Sequence, residues 1–309
     1  MNRKMPGQRS GKGLIVLVSI LGLIFAISYA VGRWGLFEGR GISLSKDKIA
    51  VISIQGVLSN SRDTIQQFKQ CEENEDVKAL VLRIDSPGGT VVAAQEIYAE
   101  IRKLREHKVV LASMGNVAAS GGYYVACAAE EIIANPGTLT GSIGVISEYP
   151  NFEQLMKKVG LKAEVLKSGR FKDLGNPTRE MTQEEKKLLQ GLIDNIHRQF
   201  IRDVALGRGK PVEEIEPLAD GRVFTGEQAK EKGLVDRLGN LQDALDRAAE
   251  LAGIEGKPVI LYPEIKRKRI WEYLVQGLAE VMGSLLRSRV EQVGPMGFQS
   301  EGFSVSGRR

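Results

Sequence analysis

The sequence predicts an α/β domain built on a parallel sheet, and two observations carry that class. Short runs dense in apolar residues recur at 49–54, 77–84, 109–114 and 131–134, with helical patterns between the first three. Strands buried on both faces lose the apolar/polar alternation, and parallel sheets are buried on both faces. The order strand, helix, strand, helix, strand is the βαβ pattern, whose crossovers are right-handed.

Each element has a local reason. The run 49–54 is a strand closed by Gly56. Residues 64–71 form a short helix with Asp63 as N-cap. The strand 77–84 is broken by Asp85-Ser86-Pro87-Gly88-Gly89, and 91–106 is helical. The strand 109–114 leads through Gly115-Asn116-Val117-Ala118-Ala119 to Ser120, which opens a small-residue helix ending near Ala129. A strand at 131–134 stops at Asn135-Pro136-Gly137, and Thr138 to Val145 is glycine-spaced and rich in hydroxyls. A short helix over 152–159 and a strand over 163–166 follow, then a polar loop over 167–173. Thr182 and Glu185 make a capping box. Behind it Leu189, Ile193, Ile196, Phe200 and Val204 keep helical spacing. His197 lies among these positions and reads as a packed, structural histidine. Helices over 227–232 and 241–251 and a last strand over 258–262 complete the domain. No internal repeat is present.

Composition narrows the function classes. The 309 residues are 42% hydrophobic and 26% charged, enough for a sizeable core. The formal net charge is +5, with much of the excess at the two ends and no basic stripe interleaved with aromatics, so a nucleic-acid role is unsupported. Cys71 and Cys127 are the two cysteines, and they fit neither a metal spacing nor a disulfide framework. They read as packing thiols.

The stretch from Leu14 to Val31 carries no charge and follows a basic segment. Its length is just enough to span a bilayer with the N-terminus held in the cytoplasm. A cleaved signal peptide is the alternative, since Ser28-Tyr29-Ala30 offers small residues at −3 and −1; the uncleaved anchor is preferred because the run exceeds a usual signal core. The expected organisation is a basic N-terminus (1–13), a transmembrane anchor (14–32), a linker (33–47), a catalytic domain (48–263), and a C-terminal amphipathic helix with a flexible tail (264–309). That last helix would meet membrane or a neighbouring subunit, or pack on its own domain.

Ser120 stands where a strand opens into a helix, where amide N–H groups lack helical partners and can hold an oxyanion. Gly121 and Gly122 allow a substrate backbone close approach. The alternative is a helix start with Ser120 as N-cap. A nucleophilic serine needs a base, and neither histidine stands in a site-like context. A lysine serves if its amine is neutral, which burial or a cationic neighbour favours. Lys167 and Lys172, in a polar loop after an expected strand, are both candidates on these grounds.

Five motifs in order then carry a resemblance. They are Asp85-Ser86-Pro87-Gly88-Gly89, the stretch from Gly115 to Tyr124, Thr140-Gly141-Ser142-Ile143-Gly144-Val145, the loop from Lys167 to Asp173, and Gly221-Arg222-Val223-Phe224-Thr225-Gly226 with Gly233-Leu234-Val235-Asp236. From about Ile49 to Tyr262 the chain resembles the signal peptide peptidase A family in its short, single-copy form. The resemblance implies a Clp protease/crotonase-like spiral of ββα units behind the membrane helix, and a Ser/Lys-dyad serine endopeptidase without cofactor or metal. It puts the nucleophile at Ser120, the general base at Lys172 and the lysine-orienting hydroxyl at Ser142. Gly89 and Gly121 become the oxyanion-hole amides. It further implies a dome-shaped homo-octamer with serine and lysine meeting across protomer interfaces. Its substrates are signal-peptide remnants and other apolar peptides, cleaved at the bacterial cytoplasmic membrane with the catalytic domain on the outer side. Rival readings are a related membrane protease with other substrates, a crotonase-like acyl-CoA enzyme, which would use carboxylates instead, and a nonenzymatic membrane scaffold.

Overall fold

A computed structural model describes residues 47–264. The expected anchor, most of the linker and the C-terminal amphipathic helix lie outside the described residues. Among the described residues no helix is long and apolar enough to cross a membrane.

The chain begins with β1 (Lys48–Leu58), α1 (Arg62–Glu72), β2 (Val77–Gly89), α2 (Val91–Leu104) and β3 (Val109–Ala119). It continues through α3 (Gly121–Ala126), β4 (Glu131–Ala134), β5 (Leu139–Gly141), α4 (Glu153–Lys158) and the long α5 (Gln183–Arg208). Then come α6 (Val212–Ile215), a 3-10 turn (Glu216–Leu218), β6 (Val223–Thr225), α7 (Gly226–Glu231), β7 (Arg237–Leu238), α8 (Leu241–Leu251) and β8 (Val259–Leu261).

The sheet runs β6-β5-β3-β2-β1-β8, with β4 paired to β3 and to β7. All pairings are parallel except β5 with β6. Both faces are covered, as the apolar runs require. Ala50, Ile52, Leu80, Leu82 and Ile84 pack with Phe68, Ile97, Ile101 and Tyr123 of α1 to α3. The alternate residues Ile49, Val51, Ala79, Val81 and Leu111 pack against Ala244, Leu245 and Ala248 of α8. Each fully buried Ile or Leu contributes roughly 1.5–3 kcal/mol relative to exposure.

Five expectations need correction. Gly56 does not close β1, nor does Asp85 to Gly89 break β2. The two strands stay paired through a register shift to Leu58 and Gly89, because the parallel ladder absorbs the glycine at φ 67. Likewise β3 runs on past Met114 to Ala119, held there by β2 and β5. Residues 163–166 form no strand: they are exposed, Leu166 completely so at 101%, and they pair with no strand among the described residues. The N-cap of α1 is Ser61 rather than Asp63. The capping box at Thr182 and Glu185 is present as expected, and Cys71 and Cys127 are free and buried.

Candidate active site

Three neighbouring strands end together. β2 closes at Gly89, β3 at Ala119 and β5 at Gly141, and all three run parallel, so their carboxyl ends share one edge. Open α/β sheets place ligands outside that edge, where adjacent strands diverge. β3 is the diverging strand: Leu111 to Ser113 pair with β4, whereas Val117 to Ala119 pair with β5. Ser120 is the next residue.

Ser120 is the N-cap residue of α3 and holds φ 52, ψ −120, but its side chain makes no capping bond. Its amide donates to the Gly141 carbonyl at 2.9 Å and its carbonyl accepts from the Tyr124 amide at 2.9 Å. The backbone is pinned on both sides, while Oγ has no hydrogen-bond partner among the described residues. Strained backbone of this kind costs on the order of 1–3 kcal/mol and persists only where the surroundings impose it.

The glycine loop leans directly on this turn. Gly88 has φ 106, and a Cβ there would stand 2.7 Å from the Gly121 nitrogen and 2.9 Å from Ser120 Cβ. A Cβ on Gly121 would lie 3.3 Å from the Gly89 nitrogen. The Gly89 and Gly121 amides therefore flank Ser120, and Gly121, as the first residue of α3, has no intrahelical acceptor. Buried hydroxyls brace the approach: Thr138 Oγ1 donates to the Gly115 carbonyl at 2.8 Å and Thr140 Oγ1 to that of Ala118 at 2.7 Å. Asp85 accepts the Val117 amide at 3.1 Å and the Asn116 side chain at 2.9 Å.

Beside Ser120 lies a cleft of about 100 Å³, with Gly89 and Gly121 at its rim. Its walls are Val91 and Ala94 of α2, Tyr124 of α3, Val145 and Ile146, and Ile196 and Phe200 of α5. Tyr124 packs on Phe200 at 4.6 Å between ring centroids, Tyr98 meets it edge-on at 5.4 Å, and its hydroxyl donates to Asp203. Burial, then the Asp203 carboxylate, pushes the Tyr124 phenol well up; burial pushes Tyr98 up to about 12. Both rings stay neutral at ordinary pH. Sequence reasoning took Ile196 and Phe200 only as a packing stripe and missed Tyr124 as a cleft wall. Adjacency of Tyr124 to the Ser-Gly-Gly turn was the available signal.

Of the expected site residues, Ser120, Gly89 and Gly121 come together around this cleft. Ser142 joins them through the backbone: it follows Gly141, has φ 49, and its amide donates to the Arg222 carbonyl at 2.8 Å. Lys172 does not line the cleft. It is exposed in a turn, its amide donating to the Gly169 carbonyl at 3.1 Å, and its ammonium makes no ion pair among the described residues. The other lysine candidate, Lys167, is committed elsewhere: its ammonium bonds Asp173 at 2.5 Å and the Arg170 carbonyl at 3.0 Å. His197 is a half-buried residue of α5 whose Nε2 is buried without a partner. Among the described residues no group of His, Cys, Asp and Glu side chains is placed to hold a metal ion.

Comparison with known proteins identifies the family of the chain. The profile of peptidase family S49 matches residues 102–255, and that of Clp protease matches residues 43–138, the part carrying Gly89, Ser120 and Gly121. A protein named as a protease in Synechocystis sp. is 44% identical over 246 residues, 77% of this chain and 89% of its own. One from Methanocaldococcus jannaschii, also named as a protease, is 33% identical over 74% of each chain. A protein of Enterococcus faecium named as signal peptide peptidase SppA is 31% identical over 97% of this chain and 90% of its own. The fold is Clp protease-like, and the chain belongs to peptidase family S49 and is a serine protease.

Proposed function

We propose that the chain is a membrane-anchored endopeptidase in which Ser120 is the nucleophile and Lys172, supplied by a neighbouring copy, is the general base. The observation that carries this reading is the conformation of Ser120. It holds φ 52 against two glycine amides at the mouth of an apolar cleft, with Oγ unpartnered. Neutral Lys172 takes the Oγ proton as Oγ attacks a peptide carbonyl, and Ser142 steadies the amine. The Gly89 and Gly121 amides receive the oxyanion, and the resulting ammonium protonates the leaving amine. Water then releases the acyl group.

The position of Lys172 supports a shared site. It sits in an arm, residues 145–181, whose Ile146, Phe152, Leu155, Leu161 and Leu166 side chains are exposed, as is Leu192 on α5. Apolar surface of this extent marks an interface, and a second copy is the occupant the dyad needs. An amine taken into such an interface favours its neutral form. The assembly is a homo-octamer with sites at protomer contacts.

The cleft supports apolar substrates. At about 100 Å³ it is smaller than the ~150 Å³ apolar cavity that holds benzene, so it suits small and aliphatic side chains. Remnant signal peptides, rich in such residues, are the substrates, met at the bacterial cytoplasmic membrane with the catalytic domain on its outer side. Hydrolysis of a leucine- and alanine-rich fluorogenic peptide by the full chain in detergent tests the reading. Activity lost in both Ser120→Ala and Lys172→Ala, with assembly unchanged by chromatography, is expected; activity surviving in either overturns that residue's role.

A further inference from the structure

We infer that Ser86 is the positioning residue of the oxyanion hole, an inference resting on the reading of Gly89 and Gly121 as its donors. Ser86 is 0% exposed and does not touch the cleft. Its Oγ lies 2.6 Å from the Gly56 carbonyl, 3.1 Å from the Gly88 amide and 3.5 Å from the Gly88 carbonyl. A hydroxyl has one proton and two lone pairs. The short contact takes the proton, so Oγ donates to Gly56 and accepts from Gly88, and the longer contact is left over. This one oxygen ties the glycine loop to β1 on one side and fixes the amide of Gly88 on the other.

The consequence reaches the nucleophile through contact alone. Gly88 is held at φ 106, so close to the nucleophile turn that a Cβ there would stand 2.7 Å from the Gly121 nitrogen and 2.9 Å from Ser120 Cβ. The Ser86 carbonyl in turn abuts α3, where a Cβ on Gly122 would stand 2.7 Å from it. Gly89, the next residue, inherits its place from Gly88. Without the hydroxyl the Gly88 amide loses its side-chain acceptor and the Gly56 carbonyl its side-chain donor, a cost of roughly 0.5–1.5 kcal/mol for each bond lost, which the loop relieves by moving. Moving the loop moves the Gly89 amide away from the oxyanion while leaving Ser120 and the cleft walls in place.

Ser86→Thr and Ser86→Val are the informative pair, because they have the same shape and differ in the hydroxyl. The full chain is assayed with a leucine peptide substrate and with the matching peptide boronate, which forms a tetrahedral adduct on serine. Expected is a kcat for Ser86→Val about 10–100-fold below that of Ser86→Thr, just under the loss for deleting a whole donor, with KM within about threefold. Boronate affinity should fall by the same factor as kcat. Equal kcat in the two variants overturns the proposal, as does a kcat loss with boronate affinity unchanged or one tracking loss of assembled protein on chromatography. Failure of the underlying reading looks different: wild-type protein whose boronate affinity survives Ser120→Ala has no serine adduct to stabilise.

Discussion

Ser120 and Ser142 are the two non-glycine residues with positive φ among the described residues, at 52° and 49°. They are coupled through one hydrogen bond, from the Ser120 amide to the carbonyl of Gly141, the residue before Ser142. Two strained serines at the ends of adjacent parallel strands hold each other in conformations that an isolated chain would abandon. That strain has a measurable counterpart. Glycine adopts positive φ without the Cβ penalty, so Ser120→Gly should unfold in urea at higher free energy than Ser120→Ala, by about 1 kcal/mol. Both variants should be inactive. Equal midpoints for the two would mean that the turn is relaxed.

Gly88 is the second sensitive point. A methyl group there would be driven into Ser120 Cβ and the Gly121 nitrogen, and φ 106 is unfavourable to any other residue. Gly88→Ala should cut kcat by about 10²–10³, the cost of a lost oxyanion donor, while chromatography still shows the assembled protein. A variant with wild-type kcat would show that the loop has room to yield.

The legible and illegible parts of this site differ in how far their causes lie along the chain. Ser120 is readable because it opens a helix at the end of an apolar strand, a local signal, whereas Gly89 enters only through the family resemblance. The true ends of β1, β2 and β3 are not, since Gly56 and Gly88 look like breakers and only the ladder between Leu58 and Gly89 keeps the strands going. The apolar residues at 163–166 carry a strand's composition, but composition cannot supply a sheet partner, and among the described residues they have none. Phe200 shows a third limit: helical periodicity marks a residue as facing inward, without separating a core contact from a cleft wall. Lys172 is harder still, because its surroundings within one chain are solvent.

Cleft size is open to direct adjustment. Ile196 lines the cleft and is half-buried, so shortening it enlarges the space at modest cost to the fold. Ile196→Ala should raise kcat/KM for a phenylalanine-containing peptide relative to its valine counterpart by about tenfold, the scale on which apolar pockets discriminate. An unchanged ratio would place substrate side chains elsewhere.

Acid should loosen the arm before the sheet. Arg179 bonds Asp173 at 2.9 Å and Glu185 at 2.5 Å, joining the loop of Lys172 to the start of α5. The Arg179 guanidinium, then the Thr182 amide, lowers Glu185 from 4.5 to about 2. Arg179, then Lys167, holds Asp173 below the carboxylate range. A carboxylate with a depressed folded pKa stabilises fully above its unfolded value and loses that contribution as pH falls through the folded one. The window is therefore pH 4.5 down to about 2. Hydrogen exchange, corrected for intrinsic rates, should show residues 167–185 losing protection across that window while β1 to β3 keep theirs, and Glu185→Gln should loosen the arm at pH 7. Uniform loss across arm and sheet would assign the acid sensitivity to the whole fold.

The proposed sharing of the dyad between protomers makes the sharpest prediction. If one chain held both residues of a site, Ser120→Ala and Lys172→Ala protomers would remain dead however they were combined. If Lys172 serves a neighbour, a mixed assembly contains sites where an intact Ser120 meets an intact Lys172. Random mixing of equal amounts should then restore about a quarter of wild-type activity, the chance that both partners at a head-to-tail contact are intact. Co-expression of the two variants with different affinity tags, purified through both, provides the assembly. The recovered fraction should fall when either variant is in excess, because intact pairs are most numerous at equal amounts. Mixed protein without activity, at any ratio, would return Lys172 to its own chain and require the arm to fold back onto the cleft.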